Sequence, residues 1–371
     1  MAETITLPAL IDPHVHFREP GNNKAETIAS GSLAALIGGY ALVADMPNNP
    51  GRPTWDVPRL IEKHEIARRD AYIPMAFNAG SQPEDDNISE LANMMHLAIA
   101  LKGYGGKTTG IDRATDYEGP EFEPIIKEYA QVGQGKPYLW HSGEDNLPYM
   151  IDLVAKRYGI HLHVCHVNDP AQVALVVRAR NDDLPVSCGV CPHHILKTSH
   201  DRITQGKFAE MQPPLADQVD AEKLAYLLAK GYIQNIESDH APHTKEAKRQ
   251  AEHTGGHCFG VPSIEHIVPL MLYQVKRGML TYERLVDAMS TQPALLFGLA
   301  RRSDTQTTWS LEEGRIETEK SIMSSAGWTP YLGMNTLGRL VESRISGRII
   351  YRNGGIFEYA HRPISQRGAE I

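Results

Sequence analysis

Short apolar runs rich in Val, Ile, Leu or Ala recur through roughly the first 300 residues, and segments with helical period lie between them. The runs predict strands at Ala9–Ile11, Ala41–Asp45, Tyr72–Phe77, Ala98–Lys102, Tyr138–His141, His161–His166, Val186–Val190 and Ile233–Ser238. The periodic segments predict helices at Ala25–Ile37, Val57–Arg69, Ile88–His96, Pro120–Val132, Leu147–Tyr158, Ala171–Asn181 and Ala221–Ala229. Eight strands alternating with helices point to an α/β fold with a parallel (β/α)8 barrel. A doubly wound sheet would alternate as well, but no G-x-G-x-x-G follows an early strand. Beyond Ala300 the pattern changes: polar RRSDTQTTWSLEEGRIETEK leads into GRLVESRISGRIIYRNGGIFEY, which alternates like paired strands around Asn353-Gly354. The expected division is a barrel over residues 9–300 and a small C-terminal β appendage over residues 301–371, packed on it.

Composition narrows the function classes. A chain of 371 residues, 42% hydrophobic and 22% charged, can bury a large core, and no segment reaches the roughly 18 uninterrupted apolar residues a membrane helix needs. The start, MAETITLPALIDPHVHF, has no basic n-region followed by an apolar h-region, which predicts a cytoplasmic location. Net charge −8 without a basic cluster argues against nucleic acid or an anionic membrane as partner. Four cysteines (Cys165, Cys188, Cys191, Cys258) make no disulfide framework, and Cys188 to Cys191 is a C-x-x-C without a second pair, so buried reduced thiols are expected. The unusual feature is 17 histidines, which fall in short clusters beside Asp and Pro.

In Asp12-Pro13-His14-Val15-His16 the strand period of two turns both imidazoles to one side. One H-x-H is a weak signal, because such pairs are common on surfaces and in cores. Lys102, His141, His166 and Asp239, however, each close a different predicted strand, and a barrel gathers its strand ends into one ring. Two divalent ions about 3.5–4 Å apart could share that ligand set and activate a bridging water. Lys102 fits only if carbon dioxide converts its amine to a carboxylate that bridges the ions; otherwise it is a solvated lysine at a loop start. Within His161-Leu-His163-Val-Cys165-His166, alternation groups His161, His163 and Cys165 on one face, and His166 lies nearest the carboxyl end. Asp239 could take a proton from the bridging water or merely hold metal. His243 is read as a substrate contact, because Pro242 turns the chain back toward the mouth.

The segments IDPHVHFREPG, DMPNNP, LKGY, HSGED, CHVN, CGVCPHH, SDHAPHT and GWTPYLGM run in order from about Ile11 to Gly354. They resemble the dihydroorotases of the amidohydrolase superfamily, in particular the type related to the dihydroorotase domain of the multifunctional animal pyrimidine protein. The resemblance implies a TIM-like barrel that reversibly cyclises N-carbamoyl-L-aspartate to L-dihydroorotate in de novo pyrimidine biosynthesis, through a binuclear metal centre with a bridging hydroxide. It implies two zinc ions held by His14, His16, carboxylated Lys102, His141, His166 and Asp239, with Asp239 shuttling the catalytic proton. Arg18, Asn48 and His243 would bind the substrate, Thr108 would lie on a loop that closes over it, and the backbone near Phe259 and Gly260 would touch the ring. The implied partners are this small molecule and either a second copy of the chain or another pyrimidine enzyme.

Two features depart from the family pattern. Only about ten residues precede the H-x-H motif, so the side sheet is expected to be reduced or built from C-terminal strands alone, and Gln212 stands in EMQPPL where some relatives carry Arg. Allantoinases and hydantoinases would share barrel and metals. Arg18 separates them, since a guanidinium forks onto a free carboxylate such as dihydroorotate carries, whereas allantoinases typically have Asn in that place. A homologue without turnover, serving as partner to another enzyme, is the reading from a different class.

Overall fold

A computed structural model describes residues 3–85, 87–110, 117–143, 145–357 and 363–371. Its thirteen strands among these residues form two sheets. The larger is a barrel of eight strands in sequence order: β2 (Leu10–Val15), β3 (Tyr40–Asp45), β4 (Met75–Gly80), β5 (Ala100–Tyr104), β6 (Tyr138–His141), β7 (Leu162–Val164), β8 (Val186–Val190) and β9 (Asn235–Ile236). Every neighbouring pair is parallel, and a bridge between Val15 and His240, with His16 N–H donating to His240 O at 2.8 Å, brings the first and last strand ends together. All residues of β2 through β9 are buried, as strands enclosed on both faces must be.

The helices between strands start where the sequence supplies caps. Thr27 and Ser30 form a capping box before Ile28–Ile37, while Asp56 and Asp169 accept from backbone N–H groups ahead of Val57–Asp70 and Pro170–Asn181, each with Pro in its first turn. In a barrel of this kind the carboxyl ends of the strands and the loops that follow them carry the chemistry.

The second sheet is antiparallel, in the order β1 (Thr4–Pro8), β10 (Gln306–Arg315), β11 (Asn335–Ile345), β12 (Arg348–Arg352) and β13 (Gly355–Ile356). It is not built from C-terminal strands alone: the few residues before the barrel suffice for β1, which pairs Ile5 with Trp309. Paired strands do turn at Asn353-Gly354, both at positive φ, and a second such turn at Ser346-Gly347 joins β11 to β12. Trp309 is buried against Gly39, where a Cβ would stand 2.4 Å from its ring and φ is +83°, so only glycine lets the sheet sit this close to the barrel. Trp309, Leu337 and Leu340 belong to the same apolar cluster as the barrel strands. No helix among the described residues is long and apolar enough to cross a membrane.

Candidate metal centre

Five of the six expected ligands meet at the mouth. His14 and His16, at the end of β2, place their Nε2 atoms 3.2 Å apart. Asp239 Oδ1 arrives from beyond β9, 2.9 Å from His16 Nε2 and 3.4 Å from His14 Nε2. His141 ends β6 and His166 follows β7, with His141 Nδ1 and His166 Nε2 separated by 3.0 Å. The His166 ring centroid lies 5.0 Å from that of His14, which links the two groups. Strand alternation alone would have sent His166 away from Cys165. Its φ of +38° breaks the alternation, so both side chains reach the centre. Arg18 and Asp239 have φ of +59° and +42°, and such left-handed positions cost about 1–3 kcal/mol each in residues other than glycine. Three strained positions thus converge on one site.

Lys102 is not a solvated lysine. It is fully buried inside β5, its Nζ 2.9 Å from Cys165 Sγ and 5.2 Å from the centre of the Tyr104 ring, and no described carboxylate pairs with it. A bare ammonium so enclosed is costly.

Burial pushes the pKa of His16 and His141 down to about 3 and that of His166 well below its ordinary value. Burial works against Asp239, yet the hydrogen bond from His16 and the charge of His14 hold its carboxyl below the usual range. At neutral pH His16, His141 and His166 are therefore neutral imidazoles around an ionised carboxylate. His14 is instead raised to about 10, because the opposing effects of burial and Lys102 are outweighed by Cys165 and Glu237, and it must release a proton before it binds metal. That donor set fits a divalent cation, and the buried Nδ1 atoms of His16 and His166 meet no hydrogen-bond partner among the described residues.

Sequence reasoning missed Glu237. Its carboxylate fills the space left by Gly189, where a Cβ would lie 2.5 Å from Glu237 Cδ. It accepts from His166 N–H, and its second oxygen lies 3.3 Å from His163 Nε2 and 3.8 Å from His14 Nδ1. Donor atoms of His14, Cys165 and Glu237 all fall within 4.8 Å of one another. The signal was available: Glu237 precedes Asp239 by two residues, one strand period, at the same strand end.

Beside the imidazoles, Arg18, Asn48, Tyr104, Thr108, Gln212 and Gly260 line the pocket. Arg18 is buried, and its Nε and Nη1 meet no partner among the described residues. Asn48 donates to Thr109 O at 2.7 Å and leaves its Oδ1 unpaired. His243 is not part of the lining. Its Nε2 lies 2.7 Å from Phe259 O, which also accepts from Thr109 Oγ1 at 3.0 Å. Gly260 has φ +119°, and a Cβ there would stand 2.4 Å from Ala241 O. Glu144 of the HSGED segment lies outside the described residues.

Residues 5–305 match the model of the amidohydrolase family. A dihydroorotase of Lactobacillus acidophilus is 30% identical, the match covering 94% of this chain and 89% of that protein. The L-hydantoinase (dihydropyrimidinase) of Arthrobacter aurescens superposes with a TM-score of 0.84 at 22% identity, over 96% of this chain and 87% of that one. The inactive dihydroorotase-like domain of a CAD-like multifunctional protein from Chaetomium thermophilum superposes with a TM-score of 0.76 at 18% identity, over 100% and 99%. At those identities the two superpositions speak to fold alone.

Proposed function

The chain belongs to the amidohydrolase family, and we propose that it acts as a dihydroorotase, interconverting N-carbamoyl-L-aspartate and L-dihydroorotate. The observation that carries this reading is Arg18, a buried guanidinium with two unpaired nitrogens on the pocket wall, beside the ring of imidazoles. A buried cation needs an anionic partner, and dihydroorotate offers a carboxylate where hydantoin and allantoin have none.

In this reading His14, His16 and Asp239 hold one divalent cation and His141 and His166 a second, with Lys102 joining them as a carboxylated side chain. The mixture of imidazole and carboxylate suits zinc. Bound there, two cations supply a polarised amide carbonyl and a water acidic enough to attack near neutral pH. The residues do the rest. The Lys102 ammonium first gives up a proton, and the neutral amine then bonds to carbon dioxide through nitrogen and releases a second proton, so that a costly buried cation is exchanged for an anion. Arg18 and Asn48 hold the substrate carboxylate and fix the ring over the imidazoles. Asp239, ionised at rest, takes a proton during ring opening and delivers it to the departing amide nitrogen; protonated, it does the reverse during cyclisation.

The test is a direct comparison of substrates. Dihydroorotate should be opened with a higher kcat/KM than hydantoin or allantoin. A preference for either of those two would overturn the assignment, and no turnover of any of them by fully metal-loaded protein would leave a dihydroorotase-like fold without the activity.

A further inference from the structure

At the end of β8, Cys191, His193 and His194 follow one another into the short helix Pro192–Leu196, and all three are fully buried. One donor atom from each lies within 4.8 Å of the other two. Among the described residues neither ring nitrogen of His193 meets a partner, and His194 Nδ1 lacks one as well. An unpaired polar atom in a dry interior costs about 1–3 kcal/mol, a cost that apolar residues of the same size would avoid. Several such atoms gathered at one point call for a shared partner.

His194 narrows what that partner is. Its Nε2 lies 3.1 Å from Pro213 O, a contact that requires the proton on Nε2 and so leaves Nδ1 as a bare lone pair. A backbone carbonyl fixing the far nitrogen of an imidazole is the arrangement that orients metal-binding histidines. We propose that Cys191, His193 and His194 form a further metal site, behind the wall of the mouth, that takes a thiophilic divalent cation such as zinc. One sulfur and two imidazole nitrogens match the borderline-soft preference of zinc and give magnesium or calcium no oxygen ligand. Burial keeps both imidazoles neutral, the form that binds metal, and holds the Cys191 thiol high. Binding therefore breaks the S–H bond, forms a sulfur–metal bond and releases one proton to solvent. Pro213 also lines the cavity next to the mouth, so the ion would tie the end of β8 to the segment that carries Gln212.

The full-length protein, loaded with cobalt as the probe, reports the site through ions per chain and through near-ultraviolet thiolate-to-cobalt absorption. Cys191→Ser should hold one ion fewer than the parent and lose that part of the absorption. His193→Gln, milder in volume, should also hold one ion fewer, and added zinc should raise the melting temperature of the parent by more than that of either variant. If folded Cys191→Ser or folded His193→Gln keeps the parent's ion count, the proposal is wrong. His16→Ala strips the mouth instead, so failure of the binuclear reading would show in that variant and leave the Cys191 result standing.

Discussion

His16 and Asp239, separated by 223 positions in the chain, meet at 2.9 Å across the seam of the barrel. The carboxylate is thereby fixed beside the imidazole ring, and its two proposed duties can be separated. Asp239→Asn can still coordinate weakly but cannot accept a proton. Its rate should fall at least about a hundredfold with both ions retained, as for loss of a general base. Metal analysis and kcat on the same preparation check this; two ions with more than about a tenth of the normal rate would remove the proton-carrier role.

Arg18→Ala should weaken dihydroorotate turnover by about 2–4 kcal/mol in kcat/KM, the scale of a lost buried charge partner, without changing metal content. Arg18→Lys should recover little, since an ammonium lacks the planar fork. A variant with unchanged kcat/KM would show that the substrate carboxylate is held elsewhere.

Lys102→Ala should lose activity and bridging together, because no other side chain of β5 can form a carbamate. Isotope-labelled bicarbonate with carbon NMR should reveal a carbamate signal in the parent that is missing from the variant. Metal-loaded, active protein without that signal would exclude the carboxylated form.

Gly260→Ala tests the loop that Thr109 and His243 share through the Phe259 carbonyl. With φ at +119° and Ala241 O in the way, the added methyl must shift the backbone at the pocket wall. KM should rise several-fold or more while ion count stays that of the parent; an unaltered KM would mean that the loop does not touch substrate.

His266 carries a prediction for acid stability. Burial lowers its pKa from 6.5 to about 4, and its Nε2 has no partner among the described residues. The unfolded chain binds a proton below about pH 6.5 and the folded one only near 4, so stability declines as pH falls through that window. Because the residue keeps some exposure, the loss is on the order of 1–2 kcal/mol, smaller than the full shift would give. His266→Leu should flatten the slope in urea titrations at pH 6.5 and 4.5; an equal slope in both proteins would trace the acid loss to other groups.

The barrel and most of its ring were legible because the signals are local: apolar runs mark strands, and His, Lys or Asp at the ends of those runs mark the mouth. Glu237 and Cys165 escaped because their roles depend on which neighbour leaves room, and Gly189 on another strand provides it for Glu237. Strand length was misjudged at both ends of the barrel. β2 continues past Ile11 to Val15, and β9 shrinks to Asn235–Ile236 because the turn carrying Asp239 begins early. By sequence His243 reads as a substrate contact, and what the sequence did not reveal is that a carbonyl sixteen residues away orients its ring. Lys102 could not be told from a surface lysine until the burial of β5 was visible.

The pairing of β1 with β10 has a bearing on how the molecule is made. Thr4 to Pro8 are translated about 300 residues before their partners Gln306 to Ser310, and His16 must likewise await Asp239. At roughly 5–20 residues per second, the nascent chain spends on the order of 15–60 s with β1 unpaired. Long-range pairings of this kind form late and slowly, so β1 is the segment that most needs shielding during synthesis, and neither the small sheet nor the metal ring is completed before β10 and Asp239 have been made.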